Sequence, residues 1–218
     1  MMNRHTAACF AAWTLAIWTV FAPTFGTAQE SASAPVRAEA ARLMNELMTG
    51  AGPIGGAFQL TDQKGRRVGP AQWRGKLVLM YFGYTSCPDA CPADLSSISA
   101  AIAALGAYGD GVQPVFVTLD PLRDTPPVLA AYVQSFNPRF VALGGTEQEI
   151  RRVALSYKVF YEKVARQGSD YYMIDHTSFI YVLNAEGKYV GYFPPGTSGE
   201  RIAAQLRALL PATNAHSN

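Results

Sequence analysis

Cys87 and Cys91 stand in Gly83-Tyr84-Thr85-Ser86-Cys87-Pro88-Asp89-Ala90-Cys91-Pro92, with three residues between them. Thiols at this spacing converge on one turn and have three uses: a structural disulfide, electron exchange with another disulfide, or a metal site. The thiolate is the reactive and metal-binding form. A cysteine of pKa about 8.5 is only about 3% ionised at pH 7, whereas a pKa of about 6.5 makes it roughly three-quarters ionised. A helix N-terminus or a bound cation lowers the pKa, and Asp89 opposes that. A structural bridge across so small a loop constrains little chain entropy. A redox pair in the manner of thioredoxin has two intervening residues, not three. A metal site needs a further ligand.

His176 is the candidate, in Tyr171-Tyr172-Met173-Ile174-Asp175-His176-Thr177-Ser178, read as a polar loop just before a strand at Phe179–Leu183. Two thiolates and one imidazole make a soft, low-coordinate set that suits Cu(I) and also accepts Cu(II). A structural zinc site would want a fourth protein ligand. Met173 is either a weak extra ligand or a core residue. Asp120, at the end of a strand, and Asp175 are the candidates for carboxylates hydrogen-bonded behind the ligands. Asp124 or Thr125 reads as a helix N-cap, with Pro126 in the first turn.

The 218 residues include three cysteines and three histidines, so it matters which of them belong to the folded domain. Met1–His5 carries one arginine, and Thr6–Gln29 carries no charge. An apolar stretch at Ala7–Ala22 is followed by the small residues Gly26-Thr27-Ala28. Residues 1–28 therefore read as a secretory signal peptide or an N-terminal membrane anchor. They take His5 and Cys9 with them. Residues 212–218, with His216, read as a disordered tail. The domain at 37–211 then holds two cysteines and one histidine, in an exported and oxidising setting.

Removing the leader also removes one arginine and no acid, so the net charge falls from +2 to +1. That balance, without a Lys/Arg cluster, excludes an electrostatic footprint for nucleic acid. Aromatic residues at 11% and plentiful Val, Leu and Ile exclude global disorder.

Several elements must position these residues. Residues 29–36 read as a Ser/Ala/Pro-rich linker, and Ala38–Met48 as a short amphipathic helix. Phe58–Thr61 and Arg67–Val68 flank the hairpin turn Asp62-Gln63-Lys64-Gly65. Lys76–Phe82 and Val115–Leu119 are continuous apolar runs suited to strands buried on both faces. Helices are predicted over Pro92–Leu105, from Pro126, over Glu147–Tyr157 and over Ser198–Leu210, the last with Ser198 as N-cap. Short strands are predicted at Phe140–Leu143, Lys158–Lys163, Phe179–Leu183 and Tyr189–Tyr192. This order predicts one α/β domain: a central mixed sheet flanked by helices, with an N-terminal hairpin. Each cysteine precedes a proline, which disfavours the α region, so both are expected outside the helix that starts at Pro92, with Asp94 in its first turn.

Three segments together, Gly83–Pro92, Val117–Pro126 (VTLDPLRDTP) and Asp175–Ser178, resemble the signature segments of the SCO/SenC family, copper chaperones of cytochrome c oxidase assembly. The similarity runs from about Phe58 to Leu210. The resemblance implies a thioredoxin-like fold and copper bound by Cys87, Cys91 and His176. It implies delivery to the binuclear copper centre of the oxidase's copper-bearing subunit, in exchange with other copper chaperones, so a metallochaperone rather than an enzyme. The implied location is the periplasm or the outer face of the inner membrane, with membrane association through the N-terminal segment. Some family members also reduce that centre's cysteines, so a thiol-disulfide oxidoreductase using Cys87 and Cys91 is the alternative. The peroxiredoxin pattern PxxxTxxC is absent, since Tyr84 stands three before Cys87.

Overall fold

The computed structural model describes residues 33–165, 168 and 171–210. The expected leader with His5 and Cys9, and the expected tail with His216, lie outside the described residues.

Helix α1 spans Ala34–Thr49 and buries Leu43 and Leu47. It starts four residues earlier than expected and absorbs the end of the expected linker. Pro35 falls in its first turn, where a missing N–H leaves no bond unmade. Strands β1 (Leu60–Asp62) and β2 (Arg67–Val68) form the expected hairpin. The Asp62 carboxylate accepts the Lys64 and Arg66 amides at 2.9 and 2.8 Å. Gly65, at φ 80°, supplies the left-handed residue of the turn.

Strand β3 (Leu77–Gly83) is buried at all seven positions, as a central strand covered on both faces must be. It is followed by α2 (Ala90–Leu105), β4 (Val112–Thr118), α3 (Pro126–Gln134) and β5 (Val141–Gly144). Then come α4 (Glu147–Ser156), β6 (Tyr161–Ala165), β7 (Tyr172–His176), β8 (Ile180–Leu183), β9 (Tyr189–Phe193) and α5 (Gly199–Arg207). The main sheet has seven strands in the order β2-β1-β5-β4-β3-β8-β9. Within it β3, β4 and β5 are parallel, while β1, β8 and β9 pair antiparallel to their neighbours. The outer strands β6 and β7 form a separate two-stranded sheet.

Strand alternation splits β3 between two layers. Phe82 meets the rings of Tyr157 and Tyr181 at 5.7 and 5.6 Å between centroids. Tyr81 and Gly83 face the other way, toward Cys91 on α2. Helix α2 presents Cys91, Leu95, Ile98, Ala101 and Leu105 to this interior and packs against α5. Ser198 caps α5 by accepting the Arg201 amide, as expected.

Four local expectations are corrected. Helix α2 begins at Ala90, so Cys91 lies inside its first turn. Proline is tolerated so near a helix start because its absent N–H would be unpaired there anyway. Asp94 consequently falls one turn further in and is buried. Strand β4 begins at Val112 and includes Pro114; pairing with β5 starts only at Val115, so Pro114 is in effect at an edge. Strand β6 begins at Tyr161 rather than Lys158, because Lys158 adopts φ 60°, incompatible with a strand. Finally, Tyr172–His176 is a strand, not a loop.

Candidate metal centre

The carboxyl end of β3 hands the chain to a loop that carries Thr85, Ser86 and Cys87 and returns it into α2 at Ala90. The Cys87 sulfur accepts the backbone N–H of Cys91 at 3.5 Å, one of the amides a helix start leaves unpaired. Gly83 permits the close approach of the two elements: a Cβ there would lie 2.8 Å from the Cys91 sulfur. Cys91 is fully buried and Cys87 is half-buried, and both are free thiols.

Register carries the histidine to them. Tyr161 pairs with His176 across β6 and β7, and Thr177 N–H donates to the Phe160 carbonyl at 2.9 Å. His176 Nε2 thereby reaches 3.5 Å from the Cys91 sulfur. Its other nitrogen, Nδ1, is 3.1 Å from the Thr177 carbonyl, a contact that suits an Nδ1–H donor and leaves Nε2 with its lone pair toward the sulfurs. The rings of Tyr81 and Tyr84 stand edge-on to the imidazole at 6.1 and 6.0 Å.

The two thiols are electrostatically distinct. The hydrogen bond from the Cys91 thiol, working against burial, holds Cys87 well below the usual thiol range, with help from the Cys91 and Asp89 amides. The same bond, together with burial, pushes Cys91 up. Cys87 is the thiolate of the pair and Cys91 the thiol. Burial, then the nearby cysteines, pushes Tyr84 up to about 12, so its hydroxyl stays protonated.

Among the described residues, no three His, Cys, Asp or Glu side chains already converge on one ion position. Cys91 and His176 are paired, while the Cys87 sulfur is engaged by the Cys91 amide. The donor chemistry nevertheless fits copper: two sulfurs and an imidazole from three elements, with hard carboxylates held elsewhere.

The carboxylates expected behind these ligands are engaged differently. Asp120 is fully buried; it accepts the Tyr172 hydroxyl at 2.6 Å and pairs with Arg123. Asp175 is exposed, and strand alternation directs it away from His176, as it does Met173. Asp124 is not an N-cap but a buried clamp. It accepts the Thr85 amide at 3.0 Å and the hydroxyls of Thr85 and Thr118, each at 2.5 Å. Sequence reasoning missed Arg123. Its place among Tyr84, Tyr171 and Tyr172 depends on a strand that the sequence does not announce.

A family profile described as SCO1/SenC matches residues 47–211. The chain belongs to the SCO1/SenC family. Among the relatives of this SCO1/SenC protein is an SCO2-like protein of Rickettsia felis, 43% identical over 155 residues, 71% of this chain and 76% of that one. The human mitochondrial SCO2 homolog is 37% identical over 194 residues, 86% of this chain and 73% of that one. Among solved structures, Bradyrhizobium japonicum ScoI with copper bound superposes at a TM-score of 0.67 with 41% identity, covering 72% of this chain and 99% of ScoI. Yeast Sco1 with copper bound gives 0.65 at 30% identity, covering 76% and 91%. The α/β, thioredoxin-like architecture of the SCO1/SenC fold is the one this chain adopts.

Proposed function

We propose that this protein is an exported metallochaperone whose cargo is copper, held by Cys87, Cys91 and His176 and delivered to the binuclear copper site of cytochrome c oxidase during assembly. The observation that carries this reading is the 3.5 Å approach of His176 Nε2 to the Cys91 sulfur, beside a second thiol four positions earlier. An imidazole is not needed for dithiol exchange, but it completes a soft three-donor set for Cu(I). Relatives at 41% and 30% identity are described with copper bound, which supports the same cargo here. Residues 37–211 form the copper-binding domain. Residues 1–28 act as a signal peptide or anchor that places it in the periplasm or on the outer face of the inner membrane. The partners are the oxidase's copper-bearing subunit and other copper chaperones.

Loading requires both sulfurs to be reduced and deprotonated. The reduced protein binds one copper per chain, and His176→Ala weakens binding sharply. Unchanged Cu(I) affinity in that variant, measured by competition with a chromophoric chelator, overturns the reading.

The thiols favour a second reading, a thiol-disulfide oxidoreductase that reduces partner cysteines. A thiolate at half-buried Cys87 beside a protonated, buried Cys91 is the arrangement of an attacking and a resolving sulfur. Under this reading His176→Ala leaves reduction of a disulfide substrate intact. The two roles are compatible, because copper loading requires the reduced pair.

A further inference from the structure

We propose that Arg123 is a positioning residue for His176: it locks the strand that carries the histidine onto the same loop that anchors the cysteine turn. The proposal rests on the reading of Cys87, Cys91 and His176 as copper donors.

Among the described residues, strand β7 is hydrogen-bonded as a strand only to β6, outside the main sheet. Side chains and single backbone groups must therefore hold it against the body of the domain. Arg123 supplies several of these contacts at Tyr172, the first residue of the strand that ends at His176. Its Nη1 donates to the Tyr172 carbonyl at 3.0 Å, and its guanidinium carbon lies 3.8 Å from the centre of the Tyr172 ring. Its Nε binds Asp120, whose other oxygen accepts the Tyr172 hydroxyl at 2.6 Å. Tyr84 and Tyr171 complete an aromatic enclosure at 6.0 and 5.3 Å. A planar, always-charged fork that both donates and stacks is what this geometry uses, and lysine offers only a point charge.

The same loop reaches the cysteines. The Thr118 hydroxyl accepts the Asp120 amide at 2.9 Å and donates to Asp124. Asp124 in turn accepts the amide and hydroxyl of Thr85, two residues before Cys87. One hydrogen-bonded chain thus runs from the cysteine turn through residues 118–124 to Tyr172. Its length sets the gap across which copper must be shared. Groups that hold a ligand without touching the metal typically contribute ten- to a hundredfold in affinity.

The test is a double-mutant cycle on the reduced full-length chain, with Cu(I) affinity read by chelator competition and histidine ligation read from the nitrogen hyperfine coupling of the Cu(II) form. Arg123→Met is expected to lower affinity about ten- to a hundredfold and to weaken the nitrogen coupling. In a His176→Ala background it is expected to cost nothing further, because the group it acts through is gone. Arg123→Lys, which keeps the cation over the ring, is expected to recover part of the loss, and it carries the same cycle if Arg123→Met does not fold. An equal loss with and without His176, or undiminished nitrogen coupling in a folded variant, overturns the positioning role. Wild-type affinity in His176→Ala alone overturns the copper reading instead, so the two failures are distinguishable.

Discussion

The sulfur of Cys91 lies 3.5 Å from Nε2 of His176, although 85 positions separate them along the chain. The contact makes Cys91 the inner member of the thiol pair, with no solvent exposure, and leaves Cys87 as the half-buried outer member.

Alkylation of the reduced, metal-free protein is therefore expected to be ordered. Cys87 reacts with iodoacetamide first, and Cys91 resists until the chain is unfolded, because accessible thiolate governs the rate. Cys91→Ala is expected to slow the reaction of Cys87 near pH 6 by removing the thiol whose hydrogen bond stabilises its thiolate. Peptide mass spectrometry over time reads both. Equal labelling of the two cysteines in the folded protein rejects the assignment.

Gly83→Ala tests the tightness of the same corner. The added Cβ would lie 2.8 Å from the Cys91 sulfur, 2.9 Å from Tyr81 Cε1 and 3.2 Å from Phe116 Cε2. The sulfur is on a helix start packed into the core and has little room to retreat. The expected cost is about 1–3 kcal/mol, together with weaker copper binding, read by urea titration and chelator competition. An unchanged urea midpoint would show that α2 slides freely over β3.

The central strands, their helices and the two cysteines were legible in the sequence because each signal is local: seven buried residues at Leu77–Gly83, a Gly-containing turn at Asp62–Gly65, Ser198 before an amphipathic run. The start of α2 was not legible. The preference of a pre-proline residue competes there with the tolerance of a first helical turn for proline, and the hydrogen bond that the Cys91 N–H donates to the Cys87 sulfur supports the helical choice. Strand β7 was obscured because only Ile174 of its five residues is buried, so its alternation is faint. With β7 unseen, neither Arg123 nor the true partners of Asp120 had a visible role. Asp124 looked like a cap because capping and clamping residues have the same chemistry, and tertiary placement alone distinguishes them.

Asp94 links stability to pH. Burial raises its carboxyl above the unfolded value of 3.8. A folded value above the unfolded one means that, as pH rises from about 4, the unfolded chain sheds this proton first. Stability therefore falls until the folded carboxyl has also ionised. Asp94→Asn, which still offers an oxygen to the Gly196 amide now held at 3.3 Å, is expected to flatten that decline. Urea midpoints for both proteins from pH 4 to 8 check it, and parallel curves would remove Asp94 as the source.

Asp124 separates a clamp from a charge. Its Oδ2 accepts the Thr85 amide and the Thr118 hydroxyl, and its Oδ1 accepts the Thr85 hydroxyl. Asparagine can keep all three contacts. Its oxygen takes the Oδ2 place, and its amide nitrogen donates to the Thr85 hydroxyl, which rotates to accept. Alanine keeps none and leaves the buried Thr118 hydroxyl and the part-buried Thr85 N–H without this acceptor, at about 1–3 kcal/mol for a buried group. Burial pushes the Asp124 carboxyl upward, against the hydrogen bonds from Thr118 and Thr85 that favour its charged form. Asp124→Asn is thus expected to stay within about 1 kcal/mol of the parent, while Asp124→Ala loses several times that. Hydrogen exchange at the Thr85 amide should rise in the alanine variant and stay protected in the asparagine variant. Equal losses for the two substitutions would mean that the charge, not the hydrogen-bond geometry, holds the cysteine loop in place.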